Sequence, residues 1–335
     1  MTEMTRRILL LSATVFGAGF LAACTSSPRQ REDTPSSAPT IPAPVQTDGS
    51  GLAPRGELYG VDIYNTQHVA DELRYIEENI QPLTDGDPKR ILITGSTAGV
   101  GQFAAAYFLR RGHTVVAHAR NAQREADVRR DLPGLEAVVV GDLLNLEETQ
   151  ALAEQISALG AFDVIIHNAG EYGLPNEQIL NANSLSPYLL TAVVDAPREQ
   201  MMYLTSDLHL SGDLKLDELR SGGTNVNYND SKLHMATLAT GVARRRPLLR
   251  VNAVAPGWVP TLMGVHNGPY APDDLRESYM TLVLLTEDTY PGGQVTGQFL
   301  FQRKPETRVH PAVHDPESQD ALLSAFAERT KVSLS

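Results

Sequence analysis

Tyr228 and Lys232 stand four residues apart in Tyr228-Asn229-Asp230-Ser231-Lys232. On a helix that spacing puts a phenol and an ammonium on one face. A free tyrosine, with a pKa of about 10, exchanges protons poorly near neutrality. A cation beside it favours the phenolate and brings the group toward a working range. Alone, the pair also fits a solvated helix face. Its meaning depends on what else the chain supplies.

Upstream, Arg90-Ile91-Leu92-Ile93 is a short apolar run of the kind that forms a buried parallel strand. It leads into Thr94-Gly95-Ser96-Thr97-Ala98-Gly99-Val100-Gly101, and an apolar helical pattern follows from Phe103 to Leu109, closed by Gly112. Strand, glycine turn and helix together predict a phosphate cradle. The glycines allow a tight turn and close backbone approach to a pyrophosphate, and the helix N-terminus offers N–H donors and a favourable dipole.

With these motifs in place the chain resembles the short-chain dehydrogenases/reductases, in the compact branch with T-G-x-x-x-G-x-G spacing. The resemblance runs from about Lys89 to Phe301. It implies an α/β fold: a single Rossmann-type doubly wound parallel sheet with helices on both faces. It also implies roles for residues that follow in family order. Gly95, Ser96, Thr97, Gly99, Val100 and Gly101 would cradle the nucleotide, and Asp142 with Leu143 would meet adenine. Asn168-Ala169-Gly170 ends the strand Phe162 to His167, while Pro256-Gly257 and Thr261 meet the nicotinamide side. Asn183, Ser206, Tyr228 and Lys232 fall at the catalytic positions. Ser206 and Tyr228 would hydrogen-bond the substrate oxygen, and Tyr228 would pass the proton. Lys232 would lower the tyrosine pKa and hold the nicotinamide ribose, so both Tyr228 and Lys232 also count as cofactor contacts. Asn183 would anchor a water relay. The tail Gly292 to Phe301, with a late amphipathic helix, is similar to the retinol dehydrogenase, WW-domain oxidoreductase and protochlorophyllide reductase group.

Cofactor choice turns on the end of the second strand, Thr114-Val115-Val116-Ala117-His118-Ala119-Arg120-Asn121. An acidic residue to hold a ribose 2′-OH is missing there. Arg120 offers a guanidinium to a 2′-phosphate instead, which favours NADP over NAD. The expected function is NADP-dependent hydride transfer between nicotinamide and a carbonyl/alcohol substrate. The alternative is a membrane-tethered nucleotide-binding or scaffold protein with little turnover, a class with no physical need for all four catalytic positions.

The segment Pro260 to Pro291 is expected to cover the substrate, and its Leu262, Met263, Tyr270, Tyr279, Met280 and Leu282 suit a lipophilic compound. Asp207, directly after Ser206, would disfavour an anionic one. His310 and His314 have metal-like spacing but lack a carboxylate or thiolate companion, so no metal site is expected. Ser206 lacks the flanking glycines of a hydrolase nucleophile.

The formal net charge of −12 argues against nucleic-acid binding, and 42% apolar content supports a core. Residues 1–23 read as a signal peptide: Arg6-Arg7, then the apolar run Ile8 to Ala23. Leu21-Ala22-Ala23-Cys24 resembles the lipobox of bacterial lipoproteins, with Cys24, the single cysteine, as the lipidated residue. Residues 24–55 form a Pro/Ser/Thr-rich tether, and residues 56–335 the folded domain. These features place the protein at the bacterial cell envelope, held to a membrane surface through Cys24. Cytoplasmic membrane anchoring is the alternative, and self-association into a homo-oligomer is left open. Thr5 to Leu10 also resembles a twin-arginine export signal.

Overall fold

Four short, mostly apolar runs make the centre of the molecule: β3 (Arg90–Ile93), β4 (Thr114–Ala119), β6 (Val164–His167) and β7 (Gln200–Leu204), the first three rich in β-branched residues. Their side chains are buried on both faces, as a parallel sheet under two helical layers requires. The computed structural model describes residues 52–53, 65–265 and 271–334. The expectations for residues 1–51, Cys24 included, lie outside the described residues.

The main sheet has eight strands in the order β10-β9-β8-β7-β6-β3-β4-β5. It adds β5 (Ala137–Val140), β8 (Arg250–Ala255), β9 (Phe299–Phe301) and β10 (Lys304–Pro305) to the central four. All pairings are parallel except that of the edge strand β10. The chain runs outward from β3 to β5, then returns to β6 on the other side of β3. That reversal makes a topological switch point at the carboxyl ends of β3 and β6, where doubly wound sheets bind ligands. The expected sheet is therefore the observed one, with strand ends shifted by a residue or two at β6 and β7.

The core divides between the two faces of the sheet. One face is covered by α1 (Gln67–Asn79), α2 (Gly99–Arg111) and α9 (Glu277–Thr286), with Ile76, Phe103, Phe108, Tyr279 and Leu282 buried. The other carries α4 (Leu146–Ala158), α6 (Ser186–Val193), α8 (Tyr228–Arg245) and α10 (Pro316–Thr330), with Tyr188, Leu238 and Phe326 buried. Shorter helices α3 (Ala122–Asp131), α5 (Asn176–Leu180) and α7 (Leu216–Ser221) fill the connections. A small ribbon, β1 (Leu52–Ala53) with β2 (Asn65–Thr66), precedes α1.

Two caps decide where the functional helices begin and end. Gly112 closes α2 at φ 94°, in the left-handed region glycine tolerates, where its N–H meets the carbonyls of Phe108 and Leu109. Asn227 and Asp230 form a reciprocal capping box that starts α8 at Tyr228. Tyr228 and Lys232 therefore occupy the first turns of a long core helix rather than a solvated face.

Candidate active site

The glycine turn between β3 and α2 is strapped to the neighbouring strand ends by short hydrogen bonds. The Asn168 amide donates to the Thr94 carbonyl at 2.9 Å and the Gly95 carbonyl at 3.0 Å. Thr94 Oγ1 accepts the Ala169 N–H at 3.1 Å. His118 Nδ1 accepts the Gly95 N–H at 3.0 Å, while its Nε2–H donates to the Gly141 carbonyl at 2.8 Å. This pattern fixes a neutral imidazole, and burial pushes its pKa below the usual histidine value. A Cβ at Gly95 (φ 64°) would lie 2.7 Å from Ala169 Cα. A Cβ at Gly101 would lie 2.4 Å from Asn168 Nδ2. These glycines are needed for backbone contact as much as for the turn.

A cleft of about 320 Å³ opens above these strand ends. The residue before α2, Ala98, places no side-chain cap over the helix N-terminus, so that end faces the cleft as an anion site. Of the expected nucleotide contacts, Gly95, Thr97, Gly99, Val100, Arg120 and Asp142 line the cleft. So do Leu143, Asn168, Ala169, Gly170, Pro256 and Thr261. Tyr228 and Lys232 line it as well. The donor set, the uncapped helix end and the glycine turn fit a dinucleotide.

Five expected residues stand behind or beside that wall. Ser96 is buried, accepting the His118 N–H at 2.9 Å and donating to the Ile93 carbonyl at 3.0 Å. Gly101 packs against Asn168. Gly257, at φ 88°, leaves a gap that a Cβ would close against Asp273 and Gln302. Asn183 sits in a π-turn, Asn181–Leu185, and clamps the backbone of Glu171 from both sides: Oδ1 accepts its N–H at 2.7 Å and Nδ2 donates to its carbonyl at 2.9 Å. Ser206 Oγ accepts the Leu208 N–H at 3.2 Å, capping the 3₁₀ turn Asp207–Ser211.

The resemblance implies that Lys232 lowers the Tyr228 pKa, but burial and Tyr172 raise it instead. Lys232 Nζ lies over the Tyr228 ring, 5.3 Å from its centroid, and donates to the Leu204 carbonyl at 3.3 Å. Burial dominates both groups. It raises the Tyr228 phenol, with Tyr172 adding to the shift, and lowers Lys232 to about 8. Both are biased toward their neutral forms, and the lysine is poised within reach of neutrality. Tyr172 meets Tyr228 edge to face at 4.9 Å and was not singled out by any motif.

Several cleft residues escape sequence reasoning. His118 looks like an ordinary strand residue, and only the convergence of three strand ends reveals its bracing role. Arg124, in the first turn of α3, lines the cleft as well. Glu171 also lines it, paired with Arg120 at 3.4 Å, and burial raises its pKa against the pull of that arginine. On the substrate side, Leu262 and Met263 line the cleft and stay exposed; Leu208 and Trp258 are also exposed but are not among the residues that line it. Asp207 is pushed up by burial first, then by Glu306 and Asp273, with Arg308 opposing. His310 caps the 3₁₀ turn Pro311–Val313, and among the described residues no His/Cys/Asp/Glu group could hold a metal. None of the described helices is long and apolar enough to cross a membrane.

Comparison with known proteins agrees with this geometry. A family model described as short chain dehydrogenase matches residues 89–193. An uncharacterized oxidoreductase of Emericella nidulans is 37% identical over 260 residues, covering 73% of this chain and 98% of the relative. Short-chain dehydrogenase chry4 of Gibberella zeae is 34% identical over 261 residues, with 73% and 98% covered. Human retinol dehydrogenase 14 is 29% identical, with 58% of this chain and 70% of the relative covered. Among solved structures, an uncharacterized protein from Mycobacterium paratuberculosis superposes with TM-score 0.60 at 20% identity, covering 77% of this chain and 97% of its own. A blue fluorescent protein from a metagenomic library, solved with NADPH, gives TM-score 0.52 at 20% identity, with 64% and 95% covered.

Proposed function

The chain belongs to the short-chain dehydrogenase/reductase family and is an NAD(P)-dependent oxidoreductase of CH–OH and C=O groups; from that premise we propose that it uses NADP on a neutral, lipophilic carbonyl or alcohol at the cell envelope. The observation that carries the reading is the meeting of the glycine turn, Tyr228 and Lys232 in one cleft. When bound, the nicotinamide supplies or takes the hydride. The chain's own residues handle binding and protons. Gly95 to Gly101 and the uncapped N-terminus of α2 hold the pyrophosphate. Arg120, with Arg124 on the same wall, takes the 2′-phosphate, for which Arg120 exchanges its Glu171 partner.

At the substrate, Tyr228 Oη gives its proton to the carbonyl oxygen in reduction and takes it back in oxidation. Lys232, lowered to about 8, holds the ribose hydroxyls and restores the tyrosine's proton. Ser206 turns its hydroxyl from the Leu208 N–H to the substrate oxygen. Asn183 positions the Glu171 backbone and serves the relay behind Lys232. Exposed Leu208, Trp258, Leu262 and Met263 support an apolar substrate, and the Asp207, Asp273 and Glu306 carboxylates argue against an anionic one.

The deciding experiment titrates the purified full chain with NADPH and NADH, then assays neutral apolar ketones against keto acids. Tighter NADPH binding and turnover of the neutral ketones alone support the proposal. Equal affinities remove the NADP assignment, and preferred turnover of keto acids removes the substrate class. The envelope assignment rests on the signal features and Cys24. Cys24→Ala should release the protein from the membrane fraction, and retained attachment would overturn lipidation. Arg6→Lys with Arg7→Lys should trap an unprocessed precursor if export uses the twin-arginine route.

A further inference from the structure

Helix α1 precedes the segment that the family model matches, yet it holds Pro260, Arg276 and Tyr279 of the segment expected to cover the substrate. Its Glu72 is buried, with only 3% exposure. The carboxylate pairs bidentately with Arg276, at 2.9 Å to Nε and 3.0 Å to Nη2, and accepts the Tyr279 hydroxyl as well. Arg276 lies 3.6 Å above the Tyr75 ring of the same helix. Tyr279 in turn packs on Phe103 and Tyr107 of α2, at ring distances of 5.6 and 5.8 Å.

A second attachment sits at the N-terminus of α1. Thr66 is its N-cap: Oγ1 accepts the Val69 N–H at 3.3 Å and donates its own proton to the Pro260 carbonyl. Pro260 directly precedes Thr261, Leu262 and Met263, all of which line the cleft. The Thr261 methyl lies 3.3 Å from where a Gly99 Cβ would stand, so this stretch abuts the glycine turn itself.

We infer that α1 is a brace for the cleft, with Glu72 and Thr66 as positioning residues that set where Pro260–Met263 and α9 stand over bound nucleotide and substrate. The inference rests on the proposed oxidoreductase site but concerns positioning, not proton chemistry. Among the described residues Glu72 pairs with no other cation, and two polar side chains of the covering segment converge on it. A helix needed only for core burial requires apolar residues such as Val69, Leu73 and Ile76 and gains little from a buried charge.

The test uses the full chain with Glu72→Gln, Arg276→Met, the double variant, and the pair Thr66→Val and Thr66→Ser. Each Glu72 or Arg276 single variant should raise substrate KM and speed NADPH release about tenfold, with kcat nearly unchanged. In the double variant no charge is left unpaired, so Tm should recover while KM and NADPH release stay altered. Thr66→Ser should behave as wild type and Thr66→Val should shift in the same direction as Glu72→Gln. Hydrogen exchange gives a readout independent of turnover and of nucleotide. Amides of Trp258–Met263 and Glu277–Thr286 should exchange faster in Glu72→Gln, while those of β3 and β6 stay protected. The inference fails if KM and release track Tm through every variant, or if exchange over the covering segment is unchanged. Absent turnover in the wild type would count against the oxidoreductase reading alone, because the exchange measurement would still decide the brace.

Discussion

The two walls of the cleft are built differently. The nucleotide wall is backbone held by backbone and by buried polar side chains: Thr94, His118, Asn168 and Ala169 lock the glycine turn with bonds of 2.9–3.1 Å. The substrate wall is made of side chains that keep their surface open. Leu262 and Met263 line it and are exposed; outside the lining, Leu208 and Trp258 are exposed too, Ser206 is engaged with its own turn, and Asp207 sits among other carboxylates. A pyrophosphate presents the same shape and charge to every enzyme that binds it, so a rigid cradle of main-chain N–H groups suffices. A substrate differs from enzyme to enzyme, and recognition then falls to side chains on loops carried by the rigid scaffold.

The largest expected effect separates chemistry from binding across that division. Tyr228→Phe should lower kcat by about 10²–10⁴-fold, the usual contribution of a positioned acid or base, and leave NADPH affinity unchanged. Stopped-flow turnover and fluorescence titration check both halves. A comparable loss of nucleotide affinity would show that the phenol belongs to the nucleotide wall.

Next, Arg120→Asp should act on the nucleotide wall only. It replaces a charge-assisted contact worth about 1.5–3 kcal/mol with repulsion, so NADP affinity should fall about tenfold or more while NAD affinity holds. The paired Glu171→Gln control should spare NADP binding, because Arg120 keeps its charge. Parallel losses for NAD and NADP would move Arg120 from recognition to general support.

Lys232 spans both walls, and its titration tests how dry the floor between them is. Burial lowers its pKa from 10.5 to about 8. Between those values the unfolded chain binds more protons than the folded one, so stability should rise with pH. The buried tyrosines, Tyr228 among them, are shifted upward from 10.0 and oppose the trend as pH approaches 10. The lysine is therefore isolated by difference: chemical denaturation should show the wild type gaining about 2 kcal/mol relative to Lys232→Met from pH 8 to pH 10. The absence of that difference would mean that water reaches the lysine.

The smallest effect belongs to the substrate rim. Met263→Ser should raise KM for an apolar ketone only a few-fold, on the order of 1 kcal/mol for a half-exposed methionine. Asp207→Asn should improve turnover of an acidic analogue relative to a neutral one. Steady-state kinetics on matched neutral and acidic ketones would register both, and indifference of each variant to substrate charge and polarity would leave the rim without a selective role.

Sequence alone determined where the central strands lie, the place of the glycine turn and the family positions of Tyr228 and Lys232. Those features depend on local rules: β-branched runs buried between helices, glycines where backbones touch, and an Asn-x-x-Asp cap starting a helix. The tertiary structure decided how polar groups face. It bonded Lys232 to the Leu204 carbonyl, paired Arg120 with Glu171, and turned His118 into a brace across three strands. It also joined Glu72 to Arg276, residues 204 positions apart. A side chain's direction and pKa are set by partners that folding brings from distant parts of the chain and by the water folding removes, and neither is written in the spacing of its neighbours.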